Sequence, residues 1–144
     1  MKTVGFFLML MALVVGIVPL FTDCNAQGHM MTLANGNTVP MKCHWTALGE
    51  VAMAVPLLAV GGLMAFNRRR ETLRALSIVG TMLGIFIVML PTQLIGVCPN
   101  PDMLCNMLMR PMLVFAGSLV TAASMVAFMI VRREEMQPAP IEVR

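Results

Sequence analysis

Cysteines are the residues of this sequence whose spacing most directly suggests chemistry. There are four of them, Cys24, Cys43, Cys98 and Cys105. Four cysteines allow three pairings into two disulfides, and we expect each to pair with its nearest neighbour in sequence, because each bridge then closes one short loop. A continuous helix would hold the last two about 10 Å apart, beyond bridging distance, but two prolines between them forbid that helix.

Thiol–disulfide exchange is an alternative use of the same cysteines. Cys43 lies at the expected start of a helix, where the positive end of the helix dipole favours a thiolate over a thiol. His44 follows it directly and could assist. The chain lacks the Cys-x-x-Cys pair that is usual in such enzymes, so a membrane thiol–disulfide oxidoreductase is the second hypothesis and not the first.

Copper or small-ion handling is a further alternative. The stretches "GHMM" (28–31) and "MKCH" (41–44) offer thioether, imidazole and thiolate groups, which suit Cu(I). Met30, Met31 and His44 are the candidate ligands for this hypothesis. Methionine is frequent throughout the chain, with 17 residues, and it often serves as flexible packing. No catalytic, cofactor-binding or metal-binding residue is therefore assigned, and no cofactor is expected.

Glu50 is the acidic residue that falls inside an apolar segment, where an unpartnered charge is costly. Helical spacing places it on the same face as Cys43 and Thr46. Arg110 and Gln93 are the candidate partners, and such a pair would lock the helices together. Ion or proton handling, or contact with another subunit, are the alternative roles.

His44 and Trp45 precede the same apolar segment. Trp45 is the chain's one tryptophan, and its amphipathic ring predicts an anchor at the membrane interface. His44 is expected to hydrogen-bond Glu50 or Asp102, with a ligand or catalytic role as the alternative.

The composition requires a membrane environment for these residues. Of 144 residues, 58% are hydrophobic and 12% are charged, far from the roughly 25% charged content of soluble domains. Four apolar segments, at residues 4–22, 47–67, 75–97 and 111–131, each approach the ~20 residues that cross a bilayer. The sequence predicts an all-α, polytopic membrane four-helix bundle over residues 1–131 and a flexible cytoplasmic tail over 132–144.

The basic residues predict the orientation of this bundle. All but Lys42 and Arg110 of the 10 Lys and Arg fall on one side, which the positive-inside rule places in the cytoplasm. Both termini are then cytoplasmic, and the cysteine loops are extracytoplasmic, where disulfides persist. We expect a multi-pass protein of a bacterial cytoplasmic membrane that contacts the lipid bilayer and does not bind nucleic acid. As the alternative, the first segment is a cleaved signal peptide.

Small residues predict where two helices touch. "GTMLG" (80–84) in the third segment and "AGSLVTAAS" (116–124) in the fourth allow close backbone approach, which drives helix association in lipid. The strip 67–74 is rich in arginine and is expected to form a short turn among anionic headgroups.

Several short motifs carry a family resemblance. They are "MKCHWTA" (41–47) with Glu50, "LIGVC" (94–98) and "PDMLC" (101–105). Over about residues 4 to 131 the chain resembles an uncharacterised bacterial family of small four-helix membrane proteins, domain of unknown function 4418. The resemblance implies four spans, paired outer cysteines and genes beside components of ABC-type transporters. It therefore suggests a non-enzymatic accessory or interaction subunit, whose partners are other membrane subunits or a second copy.

Overall fold

The computed structural model describes residues 2–25, 28, 30–100 and 102–136, with side chains as far as residue 133. Within these residues it contains four α-helices, namely α1 (Lys2–Thr22), α2 (Lys42–Phe66), α3 (Arg70–Met89) and α4 (Arg110–Met136). Short π-helical segments follow α3 and precede α4, at Leu90–Leu94 and Cys105–Met109. All four helices are long and apolar enough to cross a membrane, which confirms the predicted fold class.

The starts of all four spans and the end of α4 lie beyond the predicted apolar segments, whereas the third span ends at Leu94, before the predicted residue 97. α2 begins at Lys42 and α3 at Arg70, so the arginine-rich turn is only residues 67–69. α4 continues to Met136, which makes the first residues of the predicted tail helical, and residues 137–144 lie outside the described residues. Hydropathy marks only the apolar part of a span, because polar residues at its ends remain helical while their side chains reach water.

The helices form two antiparallel hairpins, α1 with α2 and α3 with α4, and the closest packing lies within each hairpin. In the first hairpin, a Cβ on Gly5 would lie 2.7 Å from the carbonyl oxygen of Gly61. In the second, a Cβ on Gly84 would lie 2.8 Å from the backbone nitrogen of Thr121 and 3.1 Å from the oxygen of Gly117. The predicted contact between the small-residue stretches of α3 and α4 is confirmed.

A β-hairpin, which the sequence analysis did not predict, connects α1 to α2. Strand β1 (Met30–Thr32) pairs antiparallel with β2 (Thr38–Pro40), and Met31 lies opposite Val39. The turn between them contains Gly36 at φ +82°, a conformation that glycine adopts without steric cost. Both strands are largely exposed to solvent.

The two ends of the bundle differ in chemistry. One end, where α1 begins and where the turn connects α2 to α3, has a cavity lined by the basic residues Lys2, Arg68 and Arg70. The cysteines lie at the opposite end, which we call the cysteine end. The bundle interior between them is apolar, built on residues such as Leu8, Leu57 and Val120.

Candidate functional site

The four cysteines meet in one cluster at the cysteine end. Cys24 follows α1, Cys43 is the second residue of α2, Cys98 follows the first π-helical segment, and Cys105 begins the second. Their Sγ atoms all lie within 4.8 Å of one another. All four are buried, and Cys98 is the most exposed of them at 7%. Two loops that are far apart in sequence thus contribute two sulfurs each to what we call the sulfur cluster.

The Cys24–Cys43 disulfide is present, as predicted, with the two Cα atoms 6.3 Å apart. Cys98 and Cys105 are free thiols, so the prediction of a second bridge between them is not met. Chain connectivity brought these two cysteines together as expected, but the fold also places them against the first bridge.

Each free thiol touches a sulfur of the bridge. The Sγ of Cys98 lies 3.2 Å from that of Cys43 and 3.8 Å from that of Cys24. The Sγ of Cys105 lies 3.4 Å from that of Cys24. Sulfurs this close can exchange disulfide partners, and four cysteines in such a group can also hold a thiophilic metal ion.

A hydrogen-bonded pair lies beside the bridge. His44 Nδ1 donates to Asp23 Oδ2 at 2.6 Å, and Asp23 is 6% exposed. The expectation that His44 bonds Glu50 or Asp102 is therefore wrong. Since Asp23 directly precedes Cys24 and His44 directly follows Cys43, the bridge itself brings the two residues together, and the adjacency of Asp23 to Cys24 was the sequence signal for the pair.

A hydrogen bond from Thr46 connects α2 to the second cysteine loop. Its Oγ1 donates to the carbonyl oxygen of Gly96 at 2.7 Å, and its side chain is wholly buried. Gly96 has φ +77° and its N–H donates to Leu90 O at 3.1 Å, which ends the π-helical segment and turns the chain toward Cys98. This contact joins the two hairpins close to the sulfur cluster.

Glu50 lies below the cluster on the same buried face of α2 as Cys43 and Thr46, as predicted. It is 0% exposed, and neither carboxylate oxygen has a hydrogen-bond partner among the described residues. The predicted lock with Arg110 or Gln93 is absent, because both of these side chains are exposed. Met109 takes the buried position at the head of α4 in place of its neighbour Arg110.

Trp45 is 58% exposed and points away from the bundle interior. Its ring meets that of His44 edge-on, with the centroids 6.0 Å apart. An exposed indole at the end of a membrane-spanning helix is what an interfacial anchor requires, and this role stays a prediction.

A cleft of about 540 Å³ opens beside the sulfur cluster. Cys98 lies in its wall, and three methionines line it, Met31, Met41 and Met103. The Sδ of Met41 lies 3.9 Å from the Sγ of Cys98. Of the ligands suggested for copper, Met31 is among the lining residues, while Met30 and His44 are not.

The fold and the site together define a four-helix membrane protein with a cluster of four cysteines at one end. Two of these cysteines form a disulfide and two are free thiols. The family described as "Domain of unknown function (DUF4418)" matches residues 6–130. The chain belongs to this family, as the motifs around Cys43, Cys98 and Cys105 suggested. No curated protein and no solved structure matches the chain.

Proposed function

We propose that this protein exchanges disulfides at the extracytoplasmic face of a membrane, with the sulfur cluster as its site. The observation that carries this proposal is the 3.2 Å contact between the free Cys98 Sγ and the bridged Cys43 Sγ. A purely structural bridge needs no free thiol at its side, whereas exchange requires a thiolate in contact with a disulfide sulfur.

The internal exchange takes place in two balanced steps. The Cys98 thiolate attacks the Cys43 sulfur, a Cys43–Cys98 bond forms, and Cys24 leaves as a thiolate. Cys105 then attacks Cys98, which forms Cys98–Cys105 and releases Cys43. Two protons move from the second loop to the first, and no external oxidant is consumed.

Cys98 is the point of exchange with other molecules, since it is the cysteine that lines the cleft. A protein dithiol that reacts there gives two electrons to the cluster and leaves as a disulfide. A protein disulfide that reacts in the opposite direction reoxidises the cluster. The two classes of co-reactant together balance a full cycle.

The Asp23–His44 pair orients an imidazole for this chemistry. A carboxylate can only accept hydrogen bonds, so His44 donates from Nδ1, and in this tautomer Nε2 carries the lone pair that accepts a proton. We assign to His44 the role of carrying thiol protons at the mouth of the cluster, with Asp23 as its positioning residue.

The charge distribution supports the proposed orientation. Basic residues gather at the end opposite to the cysteines, and arginines near helix ends remain in the cytoplasm. In a bacterial cytoplasmic membrane the cysteine end then faces the oxidising compartment, where bridges persist.

A trapped intermediate tests the exchange. In Cys105→Ser the first step can occur but the second cannot, so we expect a Cys43–Cys98 bond with Cys24 free. Alkylation of free thiols at low pH, followed by peptide mass mapping, measures the bond. The matched control is Cys98→Ser, in which the Cys43–Cys98 bond cannot form and its cross-linked peptide should be missing from the map. A Cys105→Ser protein that keeps only Cys24–Cys43 after prolonged incubation at neutral pH would contradict the proposal.

An accessory role in a membrane complex is the second candidate, and the β-hairpin supports it. Met31 and Val39 are cross-strand neighbours, and both are exposed, at 57% and 38%. Exposed apolar side chains beyond the helices suit contact with another subunit, a second copy or an ABC-type transporter component. Purification from native membranes in mild detergent tests this role. A partner lost in Met31→Ser/Val39→Ser, and kept in the control Asn35→Ser, supports it, whereas repeated isolation of the chain alone contradicts it.

A further inference from the structure

The cleft beside the sulfur cluster carries a second kind of chemistry. We infer that Cys98 and Cys105 bind one Cu(I) ion, with the Met41 thioether as third ligand, at the inner end of the methionine-lined cleft. This site uses two cysteines of the exchange site but does not depend on exchange, because the Cys24–Cys43 bridge can stay closed while the ion is bound.

The two sulfur–sulfur distances from Cys98 fit a trigonal site around one ion. Thiolate bonds to a first-row d¹⁰ ion are about 2.3 Å long, so the corners of a trigonal site lie about 4.0 Å apart. The Sδ of Met41 lies 3.9 Å from the Sγ of Cys98. Cys105 Sγ lies within 4.8 Å of Cys98 Sγ, so a small side-chain adjustment brings this second side of the triangle to the same length.

The ligand types select Cu(I) over other ions. Thiolates and thioethers together are the soft set that Cu(I) prefers, whereas Zn²⁺ takes thiolates or imidazoles and gains little from a thioether. Binding releases two protons from two thiols and leaves a complex with a single negative charge. Lys42, in the wall of the same cleft, supplies a cationic side chain beside it.

The cleft also provides a route from solvent. Met31 and Met103 line the same cleft as Cys98, and Met31 is 57% exposed whereas Cys98 is 7% exposed. The thioethers of these methionines offer transient ligands of the same soft type. An ion that enters along these methionines therefore meets progressively stronger ligands, with the thiolates last.

Competition with bicinchoninate, without oxygen, measures Cu(I) binding to the full chain in detergent. In Cys24→Ser/Cys43→Ser, which cannot exchange disulfides, reduced Cys98 and Cys105 should still bind one Cu(I) per chain. Adding Met41→Leu should weaken binding by at least about 10-fold, since even groups behind the ligands are worth about 10–100-fold. The control Met82→Leu changes an exposed methionine of α3 and should change nothing.

The wild-type chain provides the same comparison if the double variant fails to fold. Its thiols are counted by mass after mild reduction, and Met41→Leu is again compared with Met82→Leu. X-ray absorption should show three sulfur ligands in the wild type and two in Met41→Leu. Substoichiometric binding with both thiols reduced, or equal affinities for the two methionine variants, would overturn the inference. If the chain never forms the Cys43–Cys98 bond but still binds Cu(I), the exchange proposal fails while the copper site is supported.

Discussion

At the scale of single residues, the polar groups near the sulfur cluster differ in how well they are partnered. Thr46 and His44 have specific partners at 2.7 and 2.6 Å. Glu50 is fully buried and has none among the described residues. The first two hold the site in place, whereas the Glu50 carboxylate makes no hydrogen bond with the described residues.

Thr46→Val is expected to destabilise the protein. The change keeps the shape of the side chain but leaves the Gly96 carbonyl without its donor, at a cost of about 1–3 kcal/mol. Thermal unfolding in mild detergent measures the loss. Ser118→Ala is the control, because its exposed hydroxyl bonds only Val114 O in its own helix, and it should melt like the parent. Equal melting of the two variants would show that the contact between α2 and the loop contributes little.

Glu50→Gln and Glu50→Met are expected to preserve or raise thermal stability. A carboxylate in hydrocarbon is costly when it is charged and unpartnered, and both replacements remove that cost at similar volume. A marked loss of stability in both variants would show instead that Glu50 locks the bundle, as the sequence analysis first suggested.

At the scale of helices, the sequence contained most of the fold. Hydropathy located all four spans, and the small residues of α3 and α4 located a contact that the structure confirms. The start of α3 and the end of α4 were missed because polar turns at the ends of a helix carry no apolar signal. The β-hairpin was missed although its Asn-Gly-Asn turn (35–37) is a recognised hairpin signal.

Gly84→Ala is expected to weaken the α3–α4 contact by about 1–3 kcal/mol, as overpacking does elsewhere. The new methyl group would lie 2.8 Å from the backbone nitrogen of Thr121, which cannot move without shifting α4. Gly62→Ala is the matched control, because nothing lies within 4 Å of its added Cβ. Unfolding of both variants in detergent gives the comparison, and a Gly84→Ala protein as stable as Gly62→Ala would disprove this packing.

At the scale of the whole molecule, the sulfur cluster depends on the association of the two hairpins. Sequence spacing predicted which cysteines share a loop, and it correctly paired Cys24 with Cys43. It could not predict that Cys98 would touch Cys43, because 55 residues separate them and only helix packing decides their distance. The Asp23–His44 pair, by contrast, follows from the predicted Cys24–Cys43 bridge, because each of the two residues is the sequence neighbour of a bridged cysteine.

Orientation is tested by labelling of intact cells. With an impermeant maleimide, Asn37→Cys in the β-hairpin turn should react without permeabilisation, and Glu71→Cys in the first turn of α3 should react only after it. Both positions are exposed. The parent protein provides the background, since its own cysteines are buried. The reverse pattern would place the cysteine end in the cytoplasm and remove the basis for exchange there.

The origin of the four sulfurs, two from each hairpin, has a topological consequence. Of the three possible pairings, one places each disulfide within a single hairpin. In the other two pairings, both disulfides link one hairpin to the other. Trypsin cleavage within residues 67–69, the sole connection between the hairpins, would therefore release two separate fragments in the first case. In the other two cases the nicked halves would migrate together until a reductant is added.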